Sequence, residues 1–255
     1  SGRRDYTLQP VKLDVHTHTI ASGHAFSTMD EMIRAAAEKN LKVFGIAEHG
    51  PMMEGSCQAI YFSCYHFVPR VQYGIRVLLG CEMNILDDRG SLDLGQRHIN
   101  CLDICIAGIH ANKMGEFKAR GDIDYNTNAY LNVIKNPDID IISHPDAVIA
   151  DYAAIVKAAK EYHTLLEINN NSLILERIRP GARDHIIEIL KLARKMNTEI
   201  IVSSDAHHMS GIGRIDRISE IMDDMDFPEE LVINYRPDDF MKFIRQNHPI
   251  DETGD

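Results

Sequence analysis

The stretch from Leu13 to Thr28, LDVHTHTIASGHAFST, places His16, His18 and His24 within nine residues. Imidazoles at that density suit either a hydrogen-bonded core network or a divalent metal held through neutral ring nitrogens. One H-x-H decides nothing, because 13 histidines in 255 residues produce one by chance roughly 0.7 times. The pattern gains weight from the acids and histidines further along the chain. Glu48 and His49 stand in GIAEHG, Glu82 in LLGCEMN, His110 in IAGIHA and His144 in IISHP. Glu167, Asn169 and Asn170 stand in LEINNN, and Asp205 and His207 in IVSSDAHH. Imidazole nitrogen and carboxylate oxygen are the donors that borderline divalent ions accept. The chemistry to expect is therefore metal-assisted hydrolysis.

Each of these groups comes at the end of an apolar, β-type run. The runs are Val11–His16, Lys42–Ala47, Val77–Ile85, Ile104–Ile109, Ile139–Ser143, Leu165–Asn169 and Glu199–Ser204. They are nearly continuous in Val, Ile and Leu, as parallel strands covered by helices are. Helical patterns lie between them. Thr28 and Glu31 form a capping box that opens a helix to about Lys39, with Asn40 as its stop. YAAIVKAAKEYH, ARDHIIEILKLARKMN, RIDRISEIMDDMD and DDFMKFIRQN carry the 3.6-residue period. Seven strands alternating with helices imply βα units with right-handed crossovers.

An open α/β sheet concentrates ligands at one switch point, whereas a closed barrel brings every strand C-terminus to one rim. Ligand-type residues at six of the seven strand ends therefore predict an α/β fold: a distorted TIM-like (β/α)7 barrel with its metal site at the C-terminal rim. Alternation along the first strand predicts that Asp14, His16 and His18 share one face. His66, His98, His163, His185, His208 and His248 fall in helices, in loops or on the opposite face, and are left outside the site.

The bulk numbers agree with one soluble enzyme domain over residues 1–255. Apolar residues make up 44% and charged residues 25%, an ordinary globular balance. Five cysteines without a C-x-x-C pair predict reduced thiols in a cytoplasmic protein. A net charge of −11 disfavours an extended nucleic-acid partner, which needs basic residues to neutralise phosphates. No run is long enough to span a membrane. Ser1-Gly2 reads as an expression remnant, and residues 1–10 as a flexible N-terminus.

These motifs resemble the PHP family, named for its polymerase and histidinol phosphatase members, from Val11 to about Tyr235. CEMN, ISHP and EINN make the chain most similar to the stand-alone YcdX-type phosphatase branch. One departure is Glu48, where the family carries Asp before the histidine. The resemblance implies three divalent ions per chain, zinc first, with manganese or iron as alternatives. It implies that His16, His18, Glu82 and Asp205 hold one ion, and that His24, His49 and His207 hold a second. Glu82, His110 and His144 would hold the third, with Glu82 bridging. It further implies a phosphoesterase that hydrolyses a small phosphomonoester by attack of a metal-bridging hydroxide. Asp14 and Glu48 are candidates for support behind the ligands. Arg177, Arg179, Arg183 and Arg214 are candidates for phosphate. The segment PMMEGSCQAIYFSCYHF is expected to form a loop-rich cap beside the rim. A phosphodiesterase or nuclease acting on short nucleic-acid ends, an amidohydrolase and a non-catalytic metal-binding accessory domain remain open as alternatives.

Overall fold

The computed structural model describes residues 10–110 and 122–247. Seven parallel strands run in the order β1 (Leu13–Asp14), β2 (Val43–His49), β4 (Ile75–Asn84), β5 (Ile104–Gly108), β6 (Ile141–Ile142), β7 (Leu165–Asn169) and β8 (Ile200–Ser203). An eighth, β3 (Val71–Gln72), pairs antiparallel with β4 as a hairpin that the periodicity did not predict. The helices are α1 (Met29–Glu38), α2 (Ile60–Ser63), α3 (Gln96–Ile99), α4 (Ile123–Ile134), α5 (Tyr152–Glu161), α6 (Asn170–Ile174), α7 (Ala182–Lys195), α8 (Asp216–Asp224) and α9 (Pro237–Asn247). The fold is the expected TIM-like barrel. The expected N-terminal segment falls outside the described residues except for Pro10, and so does His248.

Local signals act where they should. The Thr28–Glu31 capping box is formed, and Asn40 ends that helical segment with φ of 60°, a conformation asparagine tolerates better than most residues. Inward positions such as Leu13, Leu78, Ile104, Ile141, Leu165 and Ile201 form an inner cluster. Phe240, Phe243 and Ile244 of α9 join that cluster, so α9 closes the barrel at the end where these strands begin. Each such large side chain contributes about 1.5–3 kcal/mol on burial. Outward positions such as Phe44, Val77, Leu79, Ile142 and Val202 pack against the helices in a larger cluster.

The barrel does not close by a continuous ladder between β8 and β1. Thr17 bridges Ala206, and the His18 amide donates to the Ala206 carbonyl at 2.9 Å. Deeper in the seam, the buried amide of Asn234 does the work of a missing strand. Its Nδ2 donates to the carbonyls of Leu13 (3.0 Å) and Val202 (2.7 Å), and its Oδ1 accepts from the Val202 amide at 2.8 Å. Backbone groups inside a seam must find partners, and a side-chain amide supplies both a donor and an acceptor.

β1 is shorter than the predicted Val11–His16, its ladder with β2 covering Leu13 and Asp14. With the ladder ending at Asp14, strict alternation ends too. Leu13 and Val15 sit in the inner cluster, and Asp14 points away from the mouth. Its carboxylate accepts from the Ser204 amide and hydroxyl and from the Gly213 amide at 2.8 Å. Asp14 therefore does not share a face with His16 and His18, contrary to the alternation expected of β1. The 51–67 segment also differs from expectation. It contains α2 and a short 3-10 turn, and Phe62 and Tyr65 are buried in the outer core. Of that segment only Met53 reaches the cavity at the mouth.

Candidate metal centre

The nine expected residues come together at the C-terminal ends of the strands, around Glu82. Glu82 is the last inward residue but one of β4, and it is fully buried. Its Oε2 lies 3.0 Å from His49 Nδ1, 3.2 Å from His16 Nε2 and 3.4 Å from His18 Nε2. Its Oε1 lies 2.8 Å from His144 Nε2 and 3.4 Å from His110 Nε2, and accepts from the Ser143 hydroxyl at 2.8 Å. One carboxylate thus faces two sets of imidazoles. Asp205 Oδ1 lies 3.1 Å from His18 Nε2 and 3.5 Å from His16 Nε2. The ring of His24 stands 4.8 Å from that of His49 and 5.1 Å from that of His207.

Buried polar groups outside this set orient it. His16 Nδ1 lies 2.5 Å from Glu167 Oε1. A carboxylate only accepts, so Nδ1 carries a proton and Nε2 is the nitrogen turned to the centre. His18 reaches the same state by another route. The Ser22 hydroxyl donates its one proton to Glu48 at 2.9 Å, so it must accept from His18 Nδ1 at 3.1 Å and from the His49 amide at 3.0 Å. Glu48 also accepts from the amide and hydroxyl of Thr19. Through Ser22 it therefore positions the ring of His18, and it reaches His49 only at the backbone amide. The Nε2 atoms of His16 and His18 meet at 3.1 Å.

Titration follows from this burial. Burial, with the neighbouring His49 and His207, holds His18 well below the usual imidazole range. His49 is pushed down to about 4 by burial. His144 is also pushed down to about 4, by burial and by the Arg179 guanidinium. Burial would lift Glu82 and Asp205, but the surrounding imidazoles, His16 foremost, hold both well below the carboxylate range. Burial opposes charge on His16 too, yet Glu167, Glu82 and Asp205 outweigh it and raise its affinity for a proton well above normal. Neutral His18, His49 and His144 facing ionised carboxylates are in the protonation states that ligate a metal, and a bound cation would take the place of the second proton on His16.

A cation fits the donors present. Both ring nitrogens of His49 and of His110, Nδ1 of His144, Glu82 Oε2 and Asp205 Oδ1 are buried without a hydrogen bond. Such orphaned groups are costly in a core, and an ion satisfies several at once. Among the described residues, three groups of ligand atoms lie within 4.8 Å of one another: His16, His18 and Asp205; His18, His49 and His207; and His49, Glu82 and His110. These recombine the partition implied by resemblance, with His24 and His144 outside the three tight groups. His144 and Asp205 also hold positive φ, 29° and 53°, strain of the kind that collects at functional sites.

The structure sorts the four arginines. Arg179 donates to the Ser172 hydroxyl at 2.7 Å, stands 3.5 Å from Asp205 and lines the cavity above the centre. Arg214 also lines that cavity but is held by Asp216 at 2.9 Å. Arg177 and Arg183 are exposed and do not line it. Sequence reasoning placed Glu167 at a strand end without a role and missed Ser22. Parity could have found the first, because Glu167 and Asn169 are alternate inward residues of β7. Asn169 Nδ2 bonds both Glu167 and Asp205.

The chain is similar to known proteins over most of its length. A probable phosphatase of Clostridium novyi (strain NT) is 45% identical over 224 residues, covering 87% of this chain and 89% of its own. A probable phosphatase of Caldicellulosiruptor saccharolyticus is 41% identical over 237 residues, covering 92% and 96%. The crystal structure of histidinol phosphate phosphatase from Lactococcus lactis, complexed with zinc, L-histidinol and phosphate, superposes with a TM-score of 0.55 at 17% identity. The match covers 86% of this chain and 93% of that one. The PHP domain model matches residues 14–179, from the outward Asp14 to the cavity arginine, and with these relatives it assigns the chain to the PHP domain family.

Proposed function

We propose that this protein is a metal-dependent phosphatase that hydrolyses a small phosphomonoester, with the whole chain acting as one catalytic domain. The observation that carries the reading is the set of buried, unbonded ligand atoms on both sides of the Glu82 carboxylate. His16, His18, His24, His49, Glu82, His110, His144, Asp205 and His207 would hold three divalent ions, with Glu82 shared. The zinc-bound phosphatase of the same fold and the nitrogen-rich donor set support zinc. Bound divalent ions supply Lewis-acid polarisation of the phosphoryl group and an acidified water as nucleophile at neutral pH.

The chain's own residues do the rest. Glu167 and the Glu48–Ser22 pair fix the rings of His16 and His18 before any ion arrives, which limits reorganisation. Arg179 carries a guanidinium to the cavity wall beside Asp205, where its fork suits a phosphate oxygen pair. The relatives' shared description as probable phosphatases supports the same class. The cavity of about 490 Å³ is of small-molecule size.

Elemental analysis of chelator-free protein, followed by p-nitrophenyl phosphate and bis-p-nitrophenyl phosphate assays, tests this. About three ions and turnover of the monoester are expected. One ion or fewer after incubation with Zn²⁺ and Mn²⁺, or preference for the diester, would overturn it.

A further inference from the structure

Three of the chain's exposed large apolar side chains gather at one place. Phe26 is 76% exposed, Ile174 44% and Ile178 49%, and all three line the cavity over the candidate metal centre. Leu175 joins them in that lining. Phe26 comes from the loop after β1, and the others from α6 and the loop beyond it, after β7. These strands flank β8 in the barrel order, so the apolar groups surround the same sector of the rim that carries Asp205 and His207.

Several polar residues of the cavity beside this wall are turned to protein partners. Ser204 donates to Asp14. Asn170 bonds Asp216 and the amides of Arg217 and Ile218. Arg214 is held by Asp216, and His208 is bonded to Ser210. Among the described lining residues Asp205 is the one carboxylate, and its oxygens already face His18, Asn169 and Arg179. Among the described lining residues, none offers a spare acid to an ammonium group. Exposed apolar groups clustered at a concave site mark ligand contact.

We infer that the leaving group of the substrate is a neutral apolar alcohol, aryl or branched alkyl, seated against Phe26, Ile174, Leu175 and Ile178. This rests on the phosphatase reading and names its substrate class: the phosphate ester of an apolar alcohol, rather than of a polyol or of an amino alcohol such as histidinol. The metal side of the cavity takes the phosphoryl group and the apolar wall takes the carbon skeleton, so selectivity lies in Phe26 and Ile178.

The test is binding of non-hydrolysable phosphonates to the zinc-loaded full chain by calorimetry. 1-Naphthylmethylphosphonate is expected to bind at least tenfold tighter than methylphosphonate, with a more negative heat-capacity change. 2-Aminoethylphosphonate is expected to gain nothing over methylphosphonate. The double variant Phe26→Ala/Ile178→Ser should cut the naphthyl preference below threefold. Both side chains are exposed, so its thermal midpoint should match the parent. Naphthyl and methyl compounds within twofold of each other, or the aminoethyl compound tightest, would overturn the inference and leave the phosphatase reading standing. A preference that survives the double variant would overturn the assignment to this wall. Failure of inorganic phosphate and methylphosphonate alike to bind would sink the phosphatase reading, and this inference with it.

Discussion

His16 and Glu167, 151 residues apart in the chain, are joined by an Nδ1–Oε1 contact of 2.5 Å in the floor of the barrel mouth. The same carboxylate accepts the His144 amide through its other oxygen at 2.7 Å. One buried acid therefore sets the ring of a residue after β1 and the strained backbone of a residue after β6. Glu167→Gln keeps the size but brings an NH2 group that must face either His16 Nδ1 or the His144 amide and Asn169 Nδ2. Whichever way the amide turns, at least one N–H loses its acceptor, at a cost of about 1–3 kcal/mol. Affinity for zinc, read by chelator competition, should fall roughly 10–100-fold. An affinity within twofold of the parent would show that Glu167 does not set the ring.

Glu82 divides its oxygens between His144 and His110 on one side and His16, His18 and His49 on the other. Glu82→Gln should release two ions together in elemental analysis, because one oxygen becomes a donor and the bridging charge is lost. Release of a single ion would contradict the shared role.

Glu48 and Ser22 act on His18 in series. Ser22→Ala and Glu48→Gln should each weaken metal retention, and the double variant should be no worse than the weaker single variant, since groups in one chain of contacts do not add. Additive losses in a chelator-competition cycle would mean that Glu48 acts by a separate route.

Asn234 closes the seam between β1 and β8 with three hydrogen bonds. Asn234→Asp replaces a donor by a carboxylate oxygen facing two carbonyls. Stability in urea should fall by about 2–4 kcal/mol, while metal stoichiometry at saturating zinc stays the same. A loss under about 0.5 kcal/mol would show that Thr17 and Ala206 suffice to close the barrel.

Burial, with Glu48 nearby, pushes the Cys57 thiol up to about 11. The thiolate is the reactive form, so a raised value leaves little of it at pH 8. Iodoacetamide at pH 8 should modify the exposed Cys101 well before Cys57, with Cys57 labelling rising steeply toward pH 11. Peptide mass spectrometry reads both sites, and equal rates at pH 8 would refute the shift.

Much of the site was legible because strand ends are local features. An apolar run ending in a histidine or acid places that residue at the rim whatever the rest of the chain does, once the strands are parallel. Alternation misjudges Asp14 because it presumes a ladder through Val15 and His16, whereas the ladder with β2 ends at Asp14. Glu48 was legible as support behind the ligands, but its target was not. The residue it acts through, Ser22, lies in a loop with no periodicity. Helix α4 and the β3 hairpin escaped the pattern reading as well.

The sequence by itself determined the donor types, their neutral-imidazole chemistry, the strand-end spacing that predicts a rim site, and the capping box that starts α1. Tertiary structure alone decided which carboxylate orients which imidazole, which two of four arginines line the cavity, and that apolar side chains surround its mouth. The physical reason is range. Periodicity and capping act over a few residues, whereas a barrel rim is assembled from segments as much as 199 residues apart, as Asp14 and Gly213 are. Those meetings are set by strand register and closure, which only the folded chain fixes.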